Sequence, residues 1–189
     1  ACFKLVKDEI DSADIAIGNL EVTLGGKPYK GYPQFSAPDE FLYAIRDAGF
    51  DVLLTANNHC LDRGQKGLER TIAKLDSLGI PYAGTYQNNQ IKNVRYPLIL
   101  EKKGIRIALL NYTYGTNGFK TTGSNVVNYI DKAAISRDIE LARAQKVDVI
   151  IACMHWGEEY KQIPSSAQKE MAMWLIKQGV NHVIGSHPH

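Results

Sequence analysis

The sequence predicts an α/β domain, because short apolar runs alternate along it with amphipathic stretches that end in glycine. Four segments place a polar residue before a continuous apolar run: Asp14-Ile15-Ala16-Ile17, Asp51-Val52-Leu53-Leu54, Asp148-Val149-Ile150-Ile151 and Asn181-His182-Val183-Ile184. Continuous β-branched-rich runs suit strands buried on both faces, as in a parallel sheet. Between them, stretches 38–48, 67–78 and 165–178 read as helices, followed by Gly49, Gly79 and Gly179 in the usual position of a left-handed cap. Val94 to Leu100, the turn Glu101-Lys102-Lys103-Gly104, and Ile105 to Tyr112 read as a β-hairpin. An antiparallel pair inside a parallel pattern makes a mixed sheet or a second sheet layer. Residues 113–129 are rich in Gly, Asn and Thr and lack periodicity, the mark of a functional or mobile loop. Asp131 to Gln145 then reads as a further helix.

Composition narrows the class. The chain has 189 residues, a net charge of +2, 44% hydrophobic and 22% charged residues, which fits one globular domain and excludes wholesale disorder. Near-neutral charge gives no electrostatic footprint for nucleic acid or for an anionic membrane surface. No apolar run approaches the roughly 18 residues a membrane helix needs. The cysteines Cys2, Cys60 and Cys153 lack both the number for a disulfide framework and the spacing of a zinc knuckle. The chain opens without Met and stops at Ser186-His187-Pro188-His189. The expectation is therefore a single domain over residues 1–189, truncated at both ends and soluble as a fragment.

In open α/β sheets, ligands bind beyond the carboxyl ends of the strands. Just past the four runs come Gly18-Asn19-Leu20-Glu21, Asn57-Asn58-His59, His155-Trp156-Gly157-Glu158-Glu159 and His187-Pro188-His189. Each strand thus delivers nitrogen or oxygen ligands to one rim. Imidazole with amide and carboxylate oxygen suits a divalent metal, zinc, manganese or iron. Paired metals of this kind clamp a phosphoryl group and acidify a water. In an extended segment His187 and His189 project to the same side, and Pro188 favours extension at His187.

Taken singly, each histidine is more often a hydrogen-bonded residue than a ligand, Asn57-Asn58 more often a turn, and Glu158-Glu159 more often a solvated pair at a helix start. Joint placement after separate strands reverses those odds for Asn58, His59, His155 and His187. His182 lies within its strand and is expected to be a bystander. Asp14, Asp51 and Asp148 sit at the opposite strand ends and are expected to be structural. Cys153 is expected to be a buried filler, and ligation by Cys60 is not expected. Trp156 and Tyr160 are expected either to wall a pocket or to pack in the core.

At these residues a family resemblance emerges. Gly18-Asn19-Leu20-Glu21, Ala56-Asn57-Asn58-His59-Cys60-Leu61-Asp62-Arg63-Gly64, His155-Trp156-Gly157-Glu158-Glu159-Tyr160 and Gly185-Ser186-His187-Pro188-His189 resemble the CapA-type capsule synthesis proteins. These are associated with bacterial poly-γ-glutamate capsule production and belong to the calcineurin-like metallophosphoesterase superfamily. The resemblance implies a metallophosphoesterase-like mixed β-sheet sandwich flanked by helices. It implies Asn58, His155, His187 and His189 as metal ligands, and His59 as the catalytic neighbour that protonates the leaving group or steadies the transition state. Glu21, with Asn19, falls where the superfamily places a bridging Asp. An Asn amide does not bridge two cations as a carboxylate does, so Glu21 substitutes or the site holds one ion rather than two. His189 is the last residue, so its free carboxylate is expected to disturb coordination in the fragment.

The resemblance further implies a phosphoester or anionic polymer as substrate, other capsule synthesis components as partners, and an extracytoplasmic, membrane-anchored full-length protein. Three functions remain open at this point. The first is a metal-dependent hydrolase with His59 as general acid. The second is a polymer-binding or assembly component of capsule synthesis that keeps the fold without hydrolysis. The third is a sugar- or peptide-binding α/β module whose histidines are incidental.

Overall fold

In the computed structural model, which describes residues 2–189, polar residues before the strands set the register of the sheets. The Asp51 carboxylate accepts the Ala16 N–H at 2.7 Å, Asp148 accepts the Arg106 N–H at 2.8 Å, and the Asn181 side-chain oxygen accepts the Ile150 N–H at 2.8 Å. Each starter pins the beginning of the neighbouring strand. Asp14 differs: it is exposed and pairs with Lys103 at 2.7 Å.

The chain opens with helix α1 (Lys7–Ser12), strand β1 (Ile17–Asn19), α2 (Asp39–Asp47), β2 (Val52–Leu54), α3 (Gly64–Ser77) and β3 (Tyr82–Ala83). Strands β1, β2 and β3 pair in parallel in that order. Next come β4 (Thr85–Tyr86), α4 (Asn89–Arg95), β5 (Leu98–Lys102), β6 (Ile105–Thr113) and β7 (Val126–Val127). The chain ends with α5 (Lys132–Ala144), β8 (Val149–His155), α6 (Ser166–Lys177) and β9 (His182–Ser186). The second sheet has the order β5-β6-β8-β9, with β5 antiparallel to β6 and the others parallel. Strands β4 and β7 form a small antiparallel pair.

Helix amphipathicity explains the outer layers. Leu68, Ile72 and Leu75 on α3, and Ile135, Ile139 and Ala142 on α5, recur at the spacing that keeps one face inward, and all are buried. Asp131 caps α5 by accepting the Ala134 N–H, and Ser165 with Gln168 forms a reciprocal capping box at the start of α6. Each cap contributes about 1 kcal/mol.

Strand alternation explains the interior. Val52 and Leu54 of β2 pack with Leu109 of β6 and Cys153 of β8 in a small dry cluster, so the two sheets face one another. Leu53, Ala108, Leu110, Ala152 and Met154 join the larger core that contains the helices. This is the mixed-sheet sandwich flanked by helices that the sequence predicts, and Cys153 is the buried filler expected of it.

Three local expectations shift. The first strand begins at Ile17 rather than Asp14. Val94 belongs to α4, whose start is capped by Asn88 accepting the Ile91 N–H at 2.9 Å, and β5 begins only after Pro97. The hairpin turn itself is tight, with positive φ at both Lys103 (51°) and Gly104 (78°), as a two-residue turn of that hand requires. Within the loop 113–129, Val126 and Val127 form β7, too short to show a period.

Candidate metal centre

The face that β6 and β8 turn to the sheet seam changes character along its length. On β8, Cys153 packs in the dry cluster, and two residues on the same side His155 ends the strand. On β6, Leu109 is followed on that side by Asn111 and Thr113, both buried. A strand face that is apolar at one end and polar at the other thus aims its polar end at the carboxyl rim.

Asn111 joins the two layers there. Its side-chain oxygen accepts the Ala56 N–H at 2.8 Å, and its amide donates to the Cys153 carbonyl at 3.2 Å. Gly84 passes directly beside this contact with φ +123°, and a Cβ on it would lie 2.2 Å from Asn111 Oδ1 and 2.3 Å from the Ala56 nitrogen. Only glycine fits. The result is a fixed launch point for Asn57, Asn58 and His59, all of them buried.

The segment after β2 is locked by its own amides. Asn57 accepts the His59 N–H at 3.1 Å and donates to the Leu20 carbonyl at 2.8 Å and to Asn19 Oδ1 at 3.2 Å. Asn19 in turn donates to Glu21 Oε2 at 2.8 Å. Both polar atoms of the Asn19 amide are therefore engaged, and its evident work is to orient Glu21.

Glu21, His155 and His187 each present a ligand atom within 4.8 Å of the other two. His155 Nε2 lies 2.9 Å from Asn58 Oδ1 and 3.6 Å from Glu21 Oε1, while its Nδ1 lies 3.0 Å from Ser186 Oγ. Burial, reinforced by the positive charge that His187, His59 and His189 would carry, pushes the His155 imidazole down to about 3. It is neutral at physiological pH, as a metal-ligating imidazole must be. Burial also lowers His187, against the opposing pull of Glu159. Burial raises the Glu21 carboxyl, and the Glu159 charge adds to that effect, opposed by the nearby histidines and Asn19. A buried His187 Nδ1 has no hydrogen-bond partner among the described residues. Two neutral imidazoles, a carboxylate and an amide oxygen converging with one ring nitrogen orphaned is a donor set that fits a divalent cation.

His59 sits beside this group. Its Nδ1 is 2.7 Å from Asp62 Oδ2, the same oxygen that accepts the Phe35 N–H at 2.7 Å. The Phe35 ring stands edge-on to the imidazole with centroids 4.6 Å apart. His59 is thereby held on two sides. His189 is exposed and lies outside the three-residue group, its ring 6.4 Å from that of His187. His182 is exposed on β9, away from the donor group. Cys60 is buried, and burial pushes its thiol up to about 12, so it offers no thiolate. Trp156 is buried and covers Gly185, whereas Tyr160 is exposed.

Sequence reasoning missed Tyr114, Asn117 and Ser186 as participants, and it set Glu159 aside as one of a solvated pair. Tyr114 lies over both imidazoles, its ring centroid 4.9 Å from that of His187 and 6.4 Å from that of His155. Asn117 accepts from the Asn58 amide at 3.3 Å, and Ser186 supports His155. Glu159 faces His187, with Oε1 4.0 Å from Nε2. Tyr114 and Asn117 belong to a loop without periodicity, and its length was the one available signal.

A two-layer mixed sandwich with imidazole, amide and carboxylate groups at the carboxyl ends of its strands defines a metallophosphoesterase-like scaffold. The chain belongs to the bacterial capsule synthesis protein family PGA_cap, whose pattern it matches over residues 1–189. It is 29% identical over 202 residues to the capsule biosynthesis protein CapA of Bacillus anthracis, covering 99% of this chain and 48% of that protein. It is 26% identical over 196 residues to the PGA biosynthesis protein CapA of Bacillus subtilis strain 168, covering 99% and 50%. The chain thus spans about half the length of these curated relatives. A Staphylococcus aureus protein described as a candidate 5'-nucleotidase, solved with α-ketoglutarate, superposes with a TM-score of 0.52 at 14% identity, over 93% of this chain and 36% of that one. At that identity the likeness concerns the fold. Among the described residues, no helix is long and apolar enough to cross a membrane.

Proposed function

We propose that the protein acts in capsule polymer synthesis through a metal-dependent, phosphoesterase-type hydrolytic site at the carboxyl rim of the sandwich. The observation that carries this reading is the approach of Glu21, His155 and His187 to within 4.8 Å of one another, with Asn58 Oδ1 2.9 Å from His155. Glu21, His155, His187 and Asn58 would hold a divalent cation such as manganese, zinc or iron; His189 and Asn19, implied by the family resemblance, are the outer candidates. A bound cation supplies Lewis acidity toward a phosphoryl oxygen and acidifies a water.

The remaining work falls to the chain's own residues. His59, with Nδ1 held by Asp62, presents Nε2 to the site, and its doubly protonated form would give the Nε2 proton to a leaving oxygen and leave Nδ1–H on Asp62. Asp62 fixes the tautomer and the ring plane, and Phe35 excludes water from one side. Ser186 orients His155, leaving Nε2 directed at Asn58 and Glu21. An anionic polymer or a phosphoester is the substrate class, and other capsule synthesis components are the expected partners. By family analogy the full-length protein works outside the membrane, anchored to it.

Elemental analysis of the full-length protein, followed by phosphoester hydrolysis with and without chelator, tests this reading. One or two metals per chain and a chelator-sensitive activity are expected. A metal-free protein without hydrolytic activity would sink it.

One observation favours a second reading. Where the resemblance expects a bridging carboxylate, Asn19 is committed to Glu21 and Asn57. A centre with fewer bridging charges suits binding of a polyanion without hydrolysis. Poly-γ-glutamate binding that survives chelation, with blank hydrolysis assays, is the result that selects it.

A further inference from the structure

The loop between β8 and α6 carries Glu159 back over the rim, and two left-handed residues shape it: Gly157 at φ +97° and Tyr160 at φ +63°. Its carboxylate faces His187, Nε2 to Oε1, across 4.0 Å. That distance is too long for a hydrogen bond. A cation bonded to both atoms at about 2.0–2.2 Å each bridges up to roughly 4.3 Å, so the gap fits one ion.

We propose that Glu159 is a carboxylate ligand of the same centre, so that a divalent cation is held by two carboxylates, Glu21 and Glu159, with His155 and His187. The inference rests on the metal-centre reading above and deepens it by naming a ligand from outside the strand ends.

Two independent observations support it. His187 is 7% exposed, and its Nε2 looks at a carboxylate it does not touch. A buried ring nitrogen that faces a carboxylate from beyond hydrogen-bond reach gains no bond from it unless a cation between them engages both. The second observation is charge. With Asn19 neutral and committed elsewhere, Glu21 alone would balance half of a divalent charge in a half-buried site. Glu159 lies close enough to Glu21 for the two carboxylates to repel, an arrangement that a cation between them turns from unfavourable to favourable.

The test is calorimetric titration of the metal-free full-length protein with Mn²⁺ and, separately, Zn²⁺, for wild type, Glu159→Gln and Glu158→Gln. Glu159→Gln is expected to weaken binding about tenfold or more, and Glu158→Gln to leave it unchanged, since Glu159 and not Glu158 faces His187 and Glu21. Matching thermal midpoints of the metal-free proteins establish that the variants fold. A wild type that binds neither ion overturns the metal centre and this inference together. A wild type that binds, with Glu159→Gln within about threefold of it, overturns the Glu159 assignment alone.

Discussion

Asn111 and Ala56 are 55 positions apart in sequence, yet the side-chain oxygen of one accepts the backbone N–H of the other at 2.8 Å inside the protein. Through that bond the second sheet holds the loop that the first sheet extends into the site. Asn111→Ala should strand a buried N–H and destabilise the fold by about 1–3 kcal/mol. Gly84→Ala should cost at least as much, because it adds a clash with the same bond and a strained φ. Urea unfolding of both variants measures this. Equal stability to wild type would show that the loop is positioned by something else.

Asp62 and His59 should separate from the metal ligands in a mutant series. His59→Ala and Asp62→Ala are expected to lower phosphoester turnover by about 10²-fold or more while metal content stays at the wild-type level. His155→Ala and His187→Ala should lose the metal itself. Turnover and elemental analysis on the same preparations decide it. Loss of metal in His59→Ala would move His59 into the ligand set.

Metal binding should appear as stability. An ion present at about 100 times its dissociation constant adds roughly 2.7 kcal/mol to a fold that binds it only when native. Chelation should therefore lower the thermal midpoint of the wild type and leave that of His187→Ala unchanged. Scanning calorimetry with and without chelator reads the difference.

A separate pH dependence is built into the helix layer. Asp39, in the first turn of α2, is 2.7 Å from both Arg70 and Lys74 of α3. The Arg70 hydrogen bond, with Lys74, holds its carboxyl down to about 2, against the opposing effect of burial. The unfolded chain binds its proton near 3.9. Between those values the unfolded state holds more protons, so this contribution is complete above about pH 4 and is lost as pH falls through 2. With solvent screening it amounts to about 1–2 kcal/mol. The stability difference between wild type and Asp39→Asn should shrink by that amount between pH 6 and pH 2. A constant difference in urea unfolding across that range would contradict the assignment.

Sandwich, helices and the gathering of His155 and His187 at one rim were legible in the sequence because each follows from a repeating or positional rule. Val52-Leu53-Leu54 advertises a strand buried on both faces, and Leu68, Ile72 and Leu75 advertise a helix face. The positions of the two histidines follow from strand ends, His155 as the last residue of β8 and His187 just past β9. Tyr114 and Asn117 were not legible, and Glu159 was placed at the rim but read as half of a solvated pair, since loop residues reach their partners through backbone turns that leave no period. Asn111 was hidden for another reason: inside the apolar run Ile105 to Tyr112 a single amide looks like an imperfection, and its partner 55 residues away is invisible locally. Asn19 was read as a ligand candidate by position, while its hydrogen bonds to Glu21 and Asn57 come from side-chain directions that position does not encode.

The donor atoms divide between the layers: Glu21 and Asn58 follow strands of the first sheet, whereas His155 and His187 follow strands of the second. Beneath them the Val52, Leu54, Leu109 and Cys153 contact is apolar and directionless, so the directional tie between the layers is the Asn111–Ala56 bond. The rim is therefore a caliper. Its jaws stand on different sheets, and a cation held between them would add a second directional tie across the same apolar contact.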